Sequence, residues 1–411
     1  SSNRNPENRD STPRATPGET NFTPRHPPTS KNAIIMEKVL VTGANGFIAS
    51  HIVKDLLASE KKYAVRGTVR DPTNARKTAF LKALPGAAER LELVALDLLK
   101  SGPEGFEAAV AGCTYVLHTA SPYPLSSPKT EDELVRPAVE GTLSVLRACA
   151  ATPSVKRVVV TSSCAAIAYG HRGPIGAEKY NEDTWSEDAN MGLDEAYMKS
   201  KTMAEKAAWA FMKEEKRGFA LTAVNPAGVF GPSVSPNPGT SLEIIEGILT
   251  RKIPMIPSVS IGVVDVRDVA LTHVKAMTCP EAAGKRIVNS GEELTFADIA
   301  ETLRDAFGPM GYSPTSLYMP YALVWIGSFF STDVMLLWRT WGRPFNVDGS
   351  NVTKILGIEY RDARQALIES AHALVDHGIV AKTEGYVPAS SKAKPEAAGA
   401  AAGAEAEKKQ D

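Results

Sequence analysis

Tyr197 and Lys201 stand four residues apart in Ala196-Tyr197-Met198-Lys199-Ser200-Lys201-Thr202-Met203-Ala204-Glu205-Lys206, which reads as helix, so the two side chains share one face. A lysine ammonium near a phenol favours the phenolate and lowers the phenol's pKa. A tyrosine tuned in this way can give a proton to a carbonyl oxygen near neutral pH. Upstream, Val158-Val159-Val160-Thr161-Ser162-Ser163 reads as a buried strand ending in hydroxyls at the carboxyl edge of a sheet, where Ser163 can hydrogen-bond the same oxygen. The Y-x-x-x-K spacing alone is common on helix surfaces. It gains meaning from its place behind a serine-ended strand and, further upstream, a glycine loop.

That loop follows the first strand, Val39-Leu40-Val41, as Thr42-Gly43-Ala44-Asn45-Gly46-Phe47-Ile48-Ala49. Gly43 permits the tight turn, Gly46 lets the backbone approach a pyrophosphate, and small Ala49 lets the next helix pack close to the strand. The amides at the helix start, around Asn45, Phe47 and Ile48, then face an anion. The second strand ends Gly67-Thr68-Val69-Arg70 rather than in a carboxylate. A carboxylate there would bond the ribose hydroxyls of NADH and repel the extra phosphate of NADPH; the Arg70 guanidinium and the nearby Lys77 suit that phosphate instead. Asp71 follows at once, and as the alternate residue of an extended segment it is expected to point away.

These residues need a frame. Short apolar runs at Lys38 to Thr42, Ala64 to Val69, Leu91 to Asp97, Tyr115 to Thr119, Val155 to Ser162 and Ala220 to Asn225 alternate with helical stretches such as Phe47 to Ser59, Glu131 to Ala151 and Ala196 to Lys216. The rhythm predicts an α/β fold, a doubly wound, Rossmann-type parallel sheet, with a smaller C-terminal substrate-binding lobe from about residue 233 onward. Residues 34–380 are expected to form this unit. Residues 1–33, rich in Pro, Ser, Thr, Asn and Arg, read as a disordered extension, and residues 381–411, of Ala, Lys, Glu and Gly, as a low-complexity tail.

The 46 Lys and Arg nearly balance the 47 Asp and Glu of the 411 residues, so no broad basic footprint points to nucleic acid, and a small-molecule partner is expected. Cys113, Cys149, Cys164 and Cys279 are scattered without a C-x-x-C pair and the seven histidines form no ligand-spaced cluster with them, which argues against a disulfide framework and against a metal site. The expected setting is the cytoplasm.

Taken in order, glycine loop, serine-ended strand and Tyr197/Lys201 make the chain resemble an extended short-chain dehydrogenase/reductase of the branch that holds dihydroflavonol reductases, cinnamoyl-CoA reductases and fungal methylglyoxal/carbonyl reductases. The resemblance covers roughly Glu37 to Val380 and includes Val65-Arg66-Gly67-Thr68-Val69-Arg70-Asp71-Pro72, Asp97-Leu98, His118-Thr119-Ala120-Ser121-Pro122, Asn225-Pro226-Ala227-Gly228-Val229-Phe230-Gly231-Pro232 and Val264-Asp265-Val266-Arg267-Asp268-Val269. It implies a triad of Ser163, Tyr197 and Lys201, with Lys201 also bonding the nicotinamide ribose. It further implies Arg70 and Lys77 on the 2′-phosphate, Asp97 and Leu98 beside the adenine, Thr119 and Ala120 along the middle of the cofactor, Pro226 and Val229 against the nicotinamide, and a structural role for residues 264–269. The implied activity is NADPH-dependent reduction of a ketone or aldehyde on a small organic molecule. Plant flavonoid reductases carry an asparagine five residues beyond the triad serine; here that position is Ala168, so a flavonoid substrate is not expected, and Tyr169 to Asn190 is read as the loop that lines the pocket.

Two other readings share these residues. A 3β-hydroxysteroid or sterol-type dehydrogenase draws support from the aromatic stretch Leu317 to Trp341, and a non-catalytic NADP-binding regulator would keep the fold without needing Tyr197. The stretch itself, with Trp325, Phe329, Phe330, Trp338 and Trp341, reads as a core helix, as a lid over an apolar pocket, or as a patch touching a membrane or another subunit. It is too short to span a bilayer, which disfavours membrane contact without closing it off, and the lid, carried by Trp325 and Phe329, is the functional expectation. The number of subunits is not fixed by the sequence.

Overall fold

A computed structural model describes residues 36–98, 103–121, 128–171, 179–214, 218–235 and 239–389. The expectation of disorder for residues 1–33 lies outside the described residues, as does the tail from 390 onward.

The central apolar runs form strands buried on both faces, leaving no polar alternation, while the edge run at Leu91–Ala95 stays partly exposed. In chain order these are β1 (Lys38–Thr42), β2 (Ala64–Val69), β3 (Leu91–Ala95), β4 (Tyr115–His118), β5 (Arg157–Thr161) and β6 (Ala220–Pro226). A further strand, β9 (Arg286–Asn289), completes a seven-stranded sheet in the order β3-β2-β1-β4-β5-β6-β9, and every pairing within it is parallel. The order reverses beside β1, between β1 and β4, which is where ligands bind in open sheets of this kind.

Helices cover both faces. They are α1 (Phe47–Ala58), α2 (Ala75–Lys82), α3 (Ala87–Arg90), α4 (Pro103–Val110), α5 (Asp132–Ala150), α6 (Ala196–Glu214), α7 (Ser241–Leu249), α8 (Val266–Thr278), α9 (Phe296–Phe307), α10 (Tyr321–Gly327), α11 (Thr332–Thr340), α12 (Asn351–Leu356) and α13 (Ala363–Asp376). On one face α1 packs against α8, and on the other α5 packs against α6. The expected strand and helix positions hold to within a few residues at each end.

A second, three-stranded sheet was not foreseen. β7 (Gly228–Phe230) and β8 (Ser260–Asp265) pair in parallel, and β10 (Glu292–Thr295) joins β8 antiparallel. With α7, α9 and α13 it builds a separate apolar cluster around Phe230, Leu242, Ile245, Ile299, Leu303 and Phe307. Residues 264–269, expected to be structural, are the β8-to-α8 turn: the Asp265 carboxylate caps α8 by accepting from the Arg267 amide at 2.7 Å, and its second oxygen pairs with the Arg267 guanidinium at 2.6 Å.

The boundary expected at residue 381 moves outward. The Tyr312 hydroxyl donates to the Ala381 carbonyl at 3.0 Å, Thr383 donates to the Met310 carbonyl, and Tyr386 meets the edge of Tyr312 and lies 3.0 Å from His372 Nδ1. The segment up to Pro388 lacks an apolar period, which is why composition alone assigned it to the tail, yet single side chains anchor it.

Candidate active site

The glycine loop is held by side-chain oxygens from two neighbouring strands. Gly43 has φ +65°, a conformation L side chains rarely adopt, and a Cβ built on it would lie 3.0 Å from the Cβ of Ala120. The Gly43 amide donates to Thr68 Oγ1 at 3.0 Å and the Ala44 amide to the Thr68 carbonyl at 2.8 Å. Thr42 Oγ1 accepts from the amides of Thr119 and Ala120, both at 3.1 Å, so its proton is left for His118 Nδ1 at 2.9 Å. Burial pushes the His118 pKa down to about 4, keeping the ring neutral and able to accept. This arrangement sets Ala120 against Gly43 and ties Thr119 to the end of β1.

Beyond the loop, α1 starts from Gly46 with no acidic residue in its first turn, and its amides are therefore free of a competing anion. Phe47 is buried toward the second sheet, while Asn45 and Ile48 are half-buried. Arg70 lies exposed at the end of β2, without an ion-pair partner among the described residues. Asp71 folds back on its own turn, accepting from the Thr73 amide at 2.9 Å and the Thr73 hydroxyl at 2.6 Å. Those bonds, with Lys77 close enough to add its charge, hold the Asp71 carboxyl below its usual range. Asp71 thus does not oppose Arg70, and Lys77, in the first turn of α2, is beside it. Asp97 and Leu98 are half-buried just past β3, with Leu98 against the core below. An adenine dinucleotide carrying a 2′-phosphate fits these residues: a glycine at a position a Cβ would crowd, a helix start free of acid, and an uncommitted guanidinium at the strand end.

On the other side of the sheet's switch point, Ser163 starts the short turn that follows β5. Its Oγ accepts from the Ala165 amide at 3.1 Å and lies 3.5 Å from the carbonyl of Pro226, which ends β6. α6 packs on this turn, with Thr202 Oγ1 donating to the Ala165 carbonyl at 3.4 Å. Tyr197 and Lys201 project from the same face of α6, the ammonium 5.9 Å from the centre of the phenol ring. Burial pushes the Lys201 pKa down to about 8, and the Glu205 carboxylate one turn later opposes that shift. Val229 is buried in β7, beyond Pro226.

A cavity of about 210 Å³ lies beside α6; Met198 contributes to its wall, while Ser163, Tyr197 and Lys201 do not. Ala168, His171, Met198, Ile261, Leu337 and Phe345 contribute to its wall, so it is mainly apolar and assembled from four distant stretches of chain. Met198 is the neighbour of Tyr197, and Ala168 lies five residues past Ser163. Of its two arginines, Arg339 is drawn to Asp194, 2.5 Å away though not aligned as a hydrogen bond, while Arg343 donates to the His171 carbonyl at 3.3 Å.

The lid expectation is half corrected. Leu336 and Leu337 of α11 do wall the cavity, but Trp325 and Phe329 of the preceding helical turn do not. Both face outward, 48% and 66% exposed, and Phe330 is 85% exposed. The core-helix reading fails for the same residues: only Val324 of α10 is buried. Leu336, Leu337, Arg339 and Thr340 lie within the stretch expected to act as a lid, whereas nothing local in the sequence marks the wall residues at 259–261 and 343–345.

Comparisons with known proteins agree with this geometry. The family described as "NAD dependent epimerase/dehydratase family" matches residues 39–291. A cinnamoyl-CoA reductase of Medicago truncatula is 40% identical over 275 residues, covering 66% of this chain and 80% of its own length. A dihydroflavonol 4-reductase of Zea mays is 37% identical over 275 residues, covering 66% of this chain and 74% of its own. Among solved structures, the yeast methylglyoxal/isovaleraldehyde reductase Gre2 complexed with NADPH superposes with a TM-score of 0.67 at 30% identity, over 84% of this chain and 100% of its own.

Proposed function

The chain belongs to the NAD dependent epimerase/dehydratase family, in its extended short-chain dehydrogenase/reductase form, and from that premise we propose that it reduces a ketone or aldehyde on a small, mainly apolar organic molecule with NADPH. The observation that carries this is the placement of Tyr197 and Lys201 on one face of α6, against the Ser163 turn, with their neighbour Met198 in the wall of a mainly apolar cavity.

Bound NADPH supplies the hydride to the carbonyl carbon. The protein does the rest by placement. Tyr197 Oη gives its proton to the carbonyl oxygen, the Ser163 hydroxyl donates a hydrogen bond to that oxygen, and the Lys201 ammonium stabilises the phenolate left behind. Lys201 would also bond the nicotinamide ribose, and Pro226 and Val229 would support the ring. Gly43, Asn45, Gly46, Phe47 and Ile48 would cradle the pyrophosphate, Thr119 and Ala120 would lie along the middle of the cofactor, Asp97 and Leu98 would hold the adenine, and Arg70 with Lys77 would take the 2′-phosphate. Within the folded unit, residues up to about 233 carry the cofactor groups, and the substrate cavity draws on both parts, with Ala168, His171 and Met198 before that point and Ile261, Leu337 and Phe345 after it. The four free thiols, three buried and one half-buried, suit a cytoplasmic setting.

The sterol-type alternative loses its support, since none of Trp325, Phe329, Phe330, Trp338 and Trp341 lines the cavity. A non-catalytic regulator would have no need of a lysine tuned beside a tyrosine. NADPH oxidation followed against a panel of short aldehydes, aryl and alkyl ketones and ring ketones is expected to show turnover on the first two classes. No turnover on any of them, in a chain that binds NADPH, would return the protein to the regulator reading.

A further inference from the structure

We infer that Glu205 and Arg286 form a positioning pair for this reaction, Glu205 setting the strand ends and the charge around Lys201, and Arg286 setting the loop that borders the substrate cavity. The inference rests on the reductase reading above. Both side chains are buried, 1% and 7% exposed, with Arg286 Nε donating to Glu205 Oε1 at 2.7 Å. A buried pair of this kind stabilises weakly at best, because desolvation offsets most of the attraction. Its retention needs another reason, and the partners supply one.

Glu205 continues the ladder of Tyr197 and Lys201 along α6, one turn on. Its Oε2 accepts from Ser162 Oγ at 2.5 Å and from Asn225 Nδ2 at 2.7 Å, and its Oε1 from Trp209 Nε1 at 3.1 Å. Ser162 precedes Ser163, and Asn225 precedes Pro226; the same Asn225 amide also donates to the Ser163 carbonyl at 3.1 Å. One carboxylate therefore ties the catalytic helix to the ends of β5 and β6. Arg286 reaches the other way. Its Nη1 donates to the carbonyls of Glu182, at 3.0 Å, and Thr184, and its Nη2 to that of Ala166, at 3.2 Å. Its guanidinium carbon sits 3.8 Å from the ring centre of Trp185. These residues flank Ala168 and Tyr180, which line the cavity.

The electrostatic surroundings of Lys201 are simple. α6 itself presents Tyr197 and Glu205, β4 presents His118, held neutral, and β9 places Arg286 behind Glu205. Among the described residues, α5 and the end of β5 contribute the hydroxyls of Thr142, Thr161 and Ser162, and His273 of α8, kept neutral by burial, stands behind Thr161 at 2.7 Å. Glu205 is the one carboxylate in this set, and it favours the ammonium. Without its charge Lys201 deprotonates at lower pH, and the phenolate left by proton transfer loses its counter-charge sooner as pH rises.

The test compares Glu205→Gln, Glu205→Asp and Arg286→Lys by kcat, KM and the pH dependence of kcat/KM. Glu205→Gln is expected to move the alkaline limb down by about half a unit or more and to lower kcat about tenfold. Glu205→Asp, which keeps the charge and shortens the reach, is expected to hold the limb and lower kcat; it also carries the test if the Gln variant does not fold. Arg286→Lys, which keeps the charge but cannot hold three carbonyls at once, is expected to leave the limb in place and raise KM roughly fivefold or more. An unmoved limb in folded Glu205→Gln, an unchanged kcat in Glu205→Asp, or a KM unaffected in Arg286→Lys would overturn the inference. Loss of all turnover in the unmodified chain would instead overturn the reductase reading.

Discussion

The two sides of the site are built by different means. On the proposed nucleotide side the groups on offer are mostly backbone: Gly43 in a left-handed conformation and the amides at the start of α1, with threonine oxygens holding the loop. On the proposed substrate side they are side chains on stretches as far apart as Ala168 and Phe345, brought together by the second sheet, α11 and the pairing of Tyr180 with Val347. A main-chain cradle tolerates few residue types and takes one ligand class. A wall of separate side chains can change shape without disturbing the fold, so the substrate is where relatives of this chain can diverge.

The sharpest way to break the comparison is Tyr197→Phe, which removes one proton and almost no packing. Turnover is expected to fall about a hundredfold to ten-thousandfold, with NADPH affinity nearly unchanged by fluorescence titration. Retained turnover would mean that another group on the substrate side is the acid. Next in size is Arg70→Ala. Charge-assisted hydrogen bonds of ~1.5 to 3 kcal/mol correspond to about tenfold to a hundredfold preference for NADPH over NADH, and the variant should lose most of it. Equal use of both cofactors by the unmodified chain would show that the exposed guanidinium does not read the phosphate.

The same contrast explains what the sequence could carry. Gly43, Gly46, Ser163, Tyr197 and Lys201 lie in short contiguous patterns with a physical cause at each position, and the structure sets them around one switch point in the sheet. Arg286 could not be read, since its role exists only once β9 lies beside β6, which puts the guanidinium over Glu205 from 81 residues away. Glu205 did have a signal, the third rung of an i, i+4 ladder, but a glutamate on a helix is usually solvated. The segment up to Pro388 carries no pattern for a similar reason: Tyr386 acts alone, without periodicity.

That residue gives a smaller test. Ending the chain after Val380 removes Thr383 and Tyr386 from their contacts with Met310, Tyr312 and His372 and should cost roughly 1–2 kcal/mol, or about 2–4 °C in Tm. Ending it after Ala389 keeps those contacts and should leave Tm unchanged. Equal melting of the two forms would show that the segment adds nothing to the folded unit.

The smallest effect is expected at the outward aromatics, and it separates wall from surface within a single helical hairpin. Trp325 and Phe329 stack edge to face at 5.4 Å on α10 and the turn after it, yet each keeps about half or more of its surface in water. Truncating either removes little buried area, so ΔΔG should stay within about 0.5 to 1 kcal/mol and KM should not move. Leu337, one helix later, lines the cavity and packs against the Phe230 cluster. Leu337→Ala enlarges the site by about three carbons. It is expected to raise KM for bulky alkyl and aryl ketones about three- to tenfold through lost contact, at roughly 0.8 kcal/mol per methylene, and to leave short aldehydes nearly unaffected. Steady-state kinetics on one long and one short substrate with the three variants checks this directly. A substrate-size effect at Trp325 or Phe329 equal to that at Leu337 would restore the lid that the outward orientation of these rings now argues against.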